Sequence, residues 1–567
     1  MGSYQLKYHA KKPEGIENKK EYLVGSGIAT LAAAFFLIRD GHMDGKNITI
    51  FERKNVNGGA LDGAGNLEDG YIIRGGREME EHYECTWDLF GDIPTLENPE
   101  RTVLDDMKEI NDWDPNVSAN RVIQNRGERV DASTLGLKDH HIKQLTKLFL
   151  AKEEDLGDLT VEQFFTPDYL ETNMWLLWRS MFAFQPWHSV VEMKRYMERF
   201  IHLLPGMTEL RNILFSRYNQ YDSFVLPLVK WLEEHGVKIQ NNTLVTDLDI
   251  EINGKEKVVT GIHLVIDGKE EYIKTTKDDL VFVINGSMTE NSTLGSNDKA
   301  PELNTELGPV WRLWKNIAEK DPAFGRPEVF YKNIDKTKWE SFTVTFKDSK
   351  IADIIRKLTN RDPYSGRVVT GGIITIKDSN WGMSFTLSRQ PHFANQPDDV
   401  LVLWAYGLFA DNEGDYIKKK MSECTGEELL RELLYHMGVD GDLMEEIVND
   451  AIVIPAMMPH ITSQFMPRVK GDRPEVVPEG SVNLAFLGQF VEIEGDCVFT
   501  VEYSVRSAMI AVYKLLNLDK QVPEIYPSKY DIRHVVNATK TLYGNKPLPG
   551  EFFVKKLLKD TSLDGLL

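Results

Sequence analysis

A strand, a glycine-rich turn, a helix and a second strand follow a polar, lysine-rich arm of residues 1–19, and this order constrains the fold most. Glu21 to Val24 reads as a short strand ending in Gly25-Ser26-Gly27. Residues 28–38 read as a buried, alanine-rich helix, and 47–51 as a second strand ending at Glu52. Such a unit is a parallel, right-handed crossover. The first glycine permits the tight turn, and the second lets a pyrophosphate approach the backbone where the helix N-terminus attracts it. Ala29 lies in the first turn of that helix, and Thr30 stands where the plain motif has its third glycine. Glu52, 27 residues after Gly25, can bind ribose hydroxyls. A Gly turn that merely packs a helix on a sheet is the plainer alternative.

Composition narrows the class. The 567 residues suggest three to four domains' worth of chain. The net charge of −21 argues against nucleic acid as a partner. Cys85, Cys424 and Cys497 lie too far apart for a disulfide framework or a zinc pattern, so no metal is expected and a reducing, cytoplasmic location is. The longest apolar run, 28–38, is far short of a membrane span.

Further segments extend the dinucleotide signal. Glu52-Arg53 followed by Gly58-Gly59-Ala60 resembles the two-dinucleotide-domain flavoproteins, which implies FAD rather than NAD. Residues 482–487 read as a buried strand, and Thr500-Val501-Glu502-Tyr503-Ser504 starts a helix. In the resembled flavoproteins such a late helix points its N-terminus at the flavin ring, where its dipole favours negative charge. Residues 281–284 with Asn285-Gly286-Ser287-Met288 resemble a third FAD contact, or form a simple buried strand and turn.

Three unusual segments then resemble the oleate hydratase (fatty acid hydratase, myosin-cross-reactive antigen) family: residues 74–90, 182–196 and 386–392. The resemblance runs from about residue 20 to the C-terminus. It implies an FAD-requiring, redox-neutral enzyme that adds water to the cis double bond of an unsaturated free fatty acid such as oleate or linoleate.

The same residues can be read physically. Met79, Tyr83, Trp87 and Phe90 recur at helical spacing, which predicts a helix over about 79–91 with Glu78 at its start. There the helix dipole and Arg77 would favour the ionised carboxylate. Glu78 is then a general base for water or only a helix cap, and the resemblance implies the base. Val190, Met193, Met197, Phe200 and Leu204 form one apolar stripe with Tyr196 at its edge. Tyr196 is a core tyrosine or, as the resemblance implies, the proton donor. Thr386, Ser388 and His392 lie in a strand-like segment, and the resemblance implies that they hold the fatty-acid carboxylate. Ser388 stands where many members of the family have Asn, which bears on chain position and the carbon hydrated.

The expected architecture is α/β: a Rossmann-like FAD-binding flavoprotein of the two-dinucleotide-domain type, with a mixed α+β substrate domain and a helical C-terminal region. The FAD domain comprises 20–84 (with the active-site loop), 205–300 and 471–520. Residues 85–204 form a largely helical lid region, 301–470 the substrate domain and 521–567 a C-terminal lid. Residues 529–567 carry a net charge of +3 against −24 for the rest. Phe552, Phe553, Val554, Leu557 and Leu558 would share one side of a short helix flanked by lysines. Such a helix lies on a membrane surface or docks on its own or a partner subunit. A homodimer is expected. The rival functions are a redox flavoenzyme of amine-oxidase, desaturase or isomerase type on the same fold, and a non-catalytic membrane-surface protein.

Overall fold

In the computed structural model of the protein, β1 (Glu21–Val24) and β2 (Ile48–Phe51) lie parallel and in register, Leu23 opposite Ile50, with α1 (Ile28–Arg39) crossing between them. The structure describes residues 9–544 together with Lys546, Phe552, Lys555, Lys556 and Lys559. β3 (Lys238–Gln240), β4 (Leu280–Ile284) and β5 (Leu484–Leu487) complete a parallel five-stranded sheet ordered β5-β4-β1-β2-β3. Strands from the start, middle and end of the chain thus share one sheet. This is the doubly wound, Rossmann-like α/β architecture.

α1 is buried from Ile28 to Leu37. A helix apolar all round needs cover on every face. The sheet covers one side and α5 (Val501–Leu515) another, with Phe36 edge-on to Tyr513. Three antiparallel strands (Thr243–Asn253, Glu256–Ile266 and Lys269–Lys274) turn at Asn253-Gly254 and Asp267-Gly268. Gly254, Asp267 and Gly268 all have positive φ, as those dipeptides predict.

A second, eight-stranded mixed sheet has the buried strand Trp339–Phe346 between Ala451–Met458 and Leu401–Gly407. The last two strands at one end of it, Val122–Gln124 and the edge strand Glu128–Arg129, come from the region that reads as helical. α4 (Gly426–His436) packs behind this sheet and begins with a Thr425/Glu428 capping box. The remaining helices used below are α2 (Glu84–Phe90), α3 (Val190–Arg199) and α6 (Ile532–Leu542). Among the described residues no helix is long and apolar enough to cross a membrane, and all three cysteines are free and buried. Phe553, Val554, Leu557 and Leu558 of the expected tail helix lie outside the described residues.

Candidate active site

Two cavities meet at the C-terminal edge of the parallel sheet. The smaller, of about 180 Å³, is lined by Gly25, Gly27, Ala29, Glu52, Arg53, Gly59 and Ala60 from the first crossover. Ser287 and Met288 after β4, and Thr500, Val501 and Ser504 at the start of α5, also line it. The sequence places all these residues at a dinucleotide, and the fold brings them to one cavity.

The local chemistry explains the motif. Gly25 has φ +91°, which favours glycine. A Cβ on Gly59 would stand 3.1 Å from the Gly27 Cα, so the two glycine turns pack backbone on backbone. The Thr30 hydroxyl donates to the carbonyls of Gly25 (2.7 Å) and Gly27 (2.9 Å), which is why threonine serves in place of the third glycine. Gly27 caps α1 without a side-chain hydrogen bond, leaving the first-turn amides for an anion. The Glu52 carboxylate accepts from the Ser26 amide (2.9 Å) and hydroxyl (2.7 Å). Arg53 pairs with Glu290 at 2.8 Å.

The larger cavity, of about 330 Å³, is walled by methionine, phenylalanine and leucine. Glu78, Tyr196, Thr386, Ser388 and His392 all line it. Arg77, Phe499, Thr500 and Val501 line both cavities and form the shared wall. α6 closes one side with Val535, Ala538, Thr539 and Leu542.

Glu78 does not open a helix. α2 begins only at Glu84, and the intervening segment is a loop with one bridge at Met79 and a turn at Glu81-His82. Met79 is held there by a two-way backbone pairing with Leu214, at 3.0 and 2.8 Å. The apolar spacing from Met79 to Phe90 is therefore real burial without being one helix. The dipole reading fails with it. Enclosure pushes the Glu78 carboxyl up to about 7, and Arg121 opposes this only in part. Arg77 is not its partner. The Arg77 guanidinium, lowered to about 10 by burial and by Arg74, donates to the Ala60 carbonyl at 3.2 Å. Arg74 pairs with Asp62 and donates to Gly59 at 3.1 Å. Two arginines before Glu78 thus clamp its loop onto the Gly59–Asp62 turn of the smaller cavity.

Tyr196 is 1% exposed and ringed by Trp178, Phe182, Phe184, Phe200 and Phe465. Its hydroxyl donates to the Val498 carbonyl at 2.5 Å. Burial raises its pKa well above that of free tyrosine, so it is a phenol at any working pH.

Of the three residues read as one strand, only Thr386 ends a strand (Met383–Thr386). Ser388 and His392 lie in the loop beyond it, which turns them toward the cavity. The Thr386 hydroxyl meets that of Thr370 at 3.0 Å. Burial lowers His392 to about 4, so the ring is neutral.

Sequence reasoning missed two neighbours of Glu78. Arg121 is 3% exposed and hydrogen-bonds the carbonyls of Met207 and Ile373, both in the cavity wall. One of its guanidinium nitrogens has no partner. Gly372, at φ +113°, lies so close that a Cβ there would stand 3.1 Å from Glu78 Oε1. The Gly371-Gly372 pair was a visible signal for tight backbone approach, but not for what approaches it.

A match to the MCRA family spans residues 18–513. The oleate hydratase of Streptococcus pyogenes serotype M49 (strain NZ131) is 46% identical over 582 aligned positions, covering 100% of this chain and 98% of that protein. The linoleate hydratase of Lactiplantibacillus plantarum is 31% identical over 566 positions, covering 92% of this chain and 98% of that protein. A solved oxidoreductase from Methanosarcina mazei is similar at a TM-score of 0.48 and 12% identity, covering 87% of this chain and 100% of its own. With a family match over most of its length and a relative 46% identical from end to end, the chain belongs to the MCRA family.

Proposed function

We propose that the protein is an FAD-dependent hydro-lyase that adds water across a cis double bond of a free unsaturated fatty acid of the oleate and linoleate class. One observation carries the reading. An enclosed carboxyl with a pKa near 7 and a buried phenol face the same apolar cavity, which shares a wall with the smaller, glycine-lined cavity. The names of the two hydratase relatives agree with it.

In this reading Glu78 takes a proton from water as the water oxygen bonds one alkene carbon. Tyr196 gives its hydroxyl proton to the other carbon. One O–H bond of water, the phenolic O–H and the π bond break; a C–O, a C–H and a carboxyl O–H bond form. No electrons leave the substrate. Proton return from Glu78 to Tyr196 through solvent resets the pair. A pKa near 7 makes Glu78 basic enough to help water while about half of it is ionised at neutral pH. Tyr196 is a weak acid, so its part must come from placement against the alkene. It must also leave the Val498 carbonyl to reach the substrate.

Thr386, Ser388 and His392 would hold the fatty-acid carboxylate. His392 is neutral before binding, and an arriving carboxylate favours its charged form. The glycine turns, the uncapped α1 amides and the α5 N-terminus fit the phosphates and ring of FAD. When bound, FAD supplies a rigid polar wall and a local field. Arg74 and Arg77 would pass the filling of that cavity to the Glu78 loop. Substrate would be collected at a membrane surface, a reading supported by Leu150 on the cavity rim, Tyr530 just before α6 and Ile532 at its start, which are 74%, 79% and 58% exposed.

Mass spectrometry of products from oleate and linoleate, with and without FAD, tests the proposal. The expected product is a hydroxy acid one water heavier, formed only with FAD. Unchanged substrate, or an oxidised product, overturns it.

A further inference from the structure

A second constellation of ligand-type side chains lies on α4, sharing no residue with either cavity. Glu432 and His436 are four residues apart on that helix, so they stand one above the other on one face. The loop after the Leu401–Gly407 strand brings Asp415 against them. Glu432 is 0% exposed and His436 3%. The Glu432 carboxylate accepts from the amides of Asp415 (2.6 Å), Tyr416 (3.0 Å) and Ile417 (2.8 Å).

His436 Nε2 sits between the two carboxylates, 3.4 Å from Asp415 Oδ2 and 3.4 Å from Glu432 Oε1, within ion-pair reach of both but without a well-formed hydrogen bond to either. That separation is long for an N–H···O bond, which runs at about 2.7–3.2 Å. It suits two ligands of one ion: bonds of about 2.1 Å at a tetrahedral angle hold their donor atoms about 3.4 Å apart. The three donor atoms all lie within 4.8 Å of one another. Asp415 is the outermost of them, its side chain 25% exposed, which gives an ion a way in.

We infer that Asp415, Glu432 and His436 bind a divalent transition-metal ion of the zinc type, with water as the fourth ligand. One imidazole and two carboxylates favour such an ion over calcium or magnesium, which take oxygen donors almost alone. The ion neutralises two carboxylates and pins the loop to α4. The site is structural, and hydration does not pass through it.

Equilibrium dialysis of the chelator-treated full chain against Zn²⁺, read by elemental analysis, tests the inference. His140, His141 and Asp168 form another candidate cluster, so the reading is a difference between variants. Wild type is expected to hold one equivalent of zinc more than His436→Gln. Zinc should raise the melting temperature of wild type and not of that variant. Asp415→Asn keeps the helix face intact and should weaken binding at least tenfold, which decides the matter if His436→Gln does not fold. Equal zinc in wild type and the variants, or no zinc in any of them, overturns the site.

Discussion

The two cavities that share Arg77, Phe499, Thr500 and Val501 are built on opposite terms. The smaller cavity, proposed to hold the dinucleotide, is made of backbone: glycines packed on glycines, a helix start without a side-chain cap, and a carboxylate tied to its own turn. Its residues are placed by secondary structure. The larger cavity is made of side chains on loops and lids, with one carboxyl kept near pKa 7 by enclosure. The first should tolerate almost no bulk and respond little to pH. The second should tolerate isosteric change in fold but not in turnover, and it should be pH-sensitive.

The harshest break falls on the backbone cavity. A Cβ on Gly27 would stand 3.1 Å from Ile284 Cδ1, and a valine would add two methyls where the pyrophosphate must approach. Gly27→Val should lose both the yellow cofactor and hydration, as read by flavin absorbance and product. Full flavin occupancy would refute the placement of the pyrophosphate.

Glu78→Gln breaks the other cavity in the opposite way. Turnover should fall by about 10² to 10⁴ with flavin retained. In wild type, turnover should rise with pH through about 7 as the carboxyl ionises, and the variant should lack that limb. Stability should move the other way. The folded value near 7 lies above the ordinary 4.5, so ionisation favours unfolding. The cost is absent below both values, grows as pH rises toward 7, and is constant above it. At pH 8 Glu78→Gln should therefore be more stable than wild type by up to about 3 kcal/mol, and near pH 4 the gain should vanish. A variant that melts lower at pH 8 would show that Arg121 needs the charge more than the cavity resists it.

Tyr196→Phe sharpens the contrast, because its hydroxyl is both proposed donor and structural partner. Losing the bond to the buried Val498 carbonyl should cost about 1–3 kcal/mol. Hydration should fall far more than fatty-acid affinity. Loss of activity in proportion to loss of fold would leave Tyr196 as a core tyrosine. The mildest effect is expected at the carboxylate end. His392→Gln should raise KM several-fold with kcat little changed, and an unchanged KM would remove it from substrate binding.

The sequence was most legible where chemistry is local. Gly25, Gly27, Thr30 and Glu52 sit on one crossover, and each has a backbone reason to be there. The surroundings of Glu78 were not legible. Arg121 and Gly372 reach it from two other stretches of chain, and nothing local marks either as its neighbour. The helix expected over 79–91 is present only from Glu84 to Phe90, because periodicity reports burial, and Met79 is buried by pairing with Leu214 rather than by a helical turn. Ser388 and His392 leave the strand at Thr386 for the same kind of reason, since a loop now aims them into the cavity.

Anaerobic turnover of oleate in ¹⁸O-labelled water by the FAD-loaded enzyme tests most directly the claim that a flavin site here serves a hydration and not an oxidation. The account predicts that a hydroxy acid forms at the aerobic rate and carries one heavy oxygen from water. A product that requires dioxygen, or a hydroxyl without the label, would contradict it.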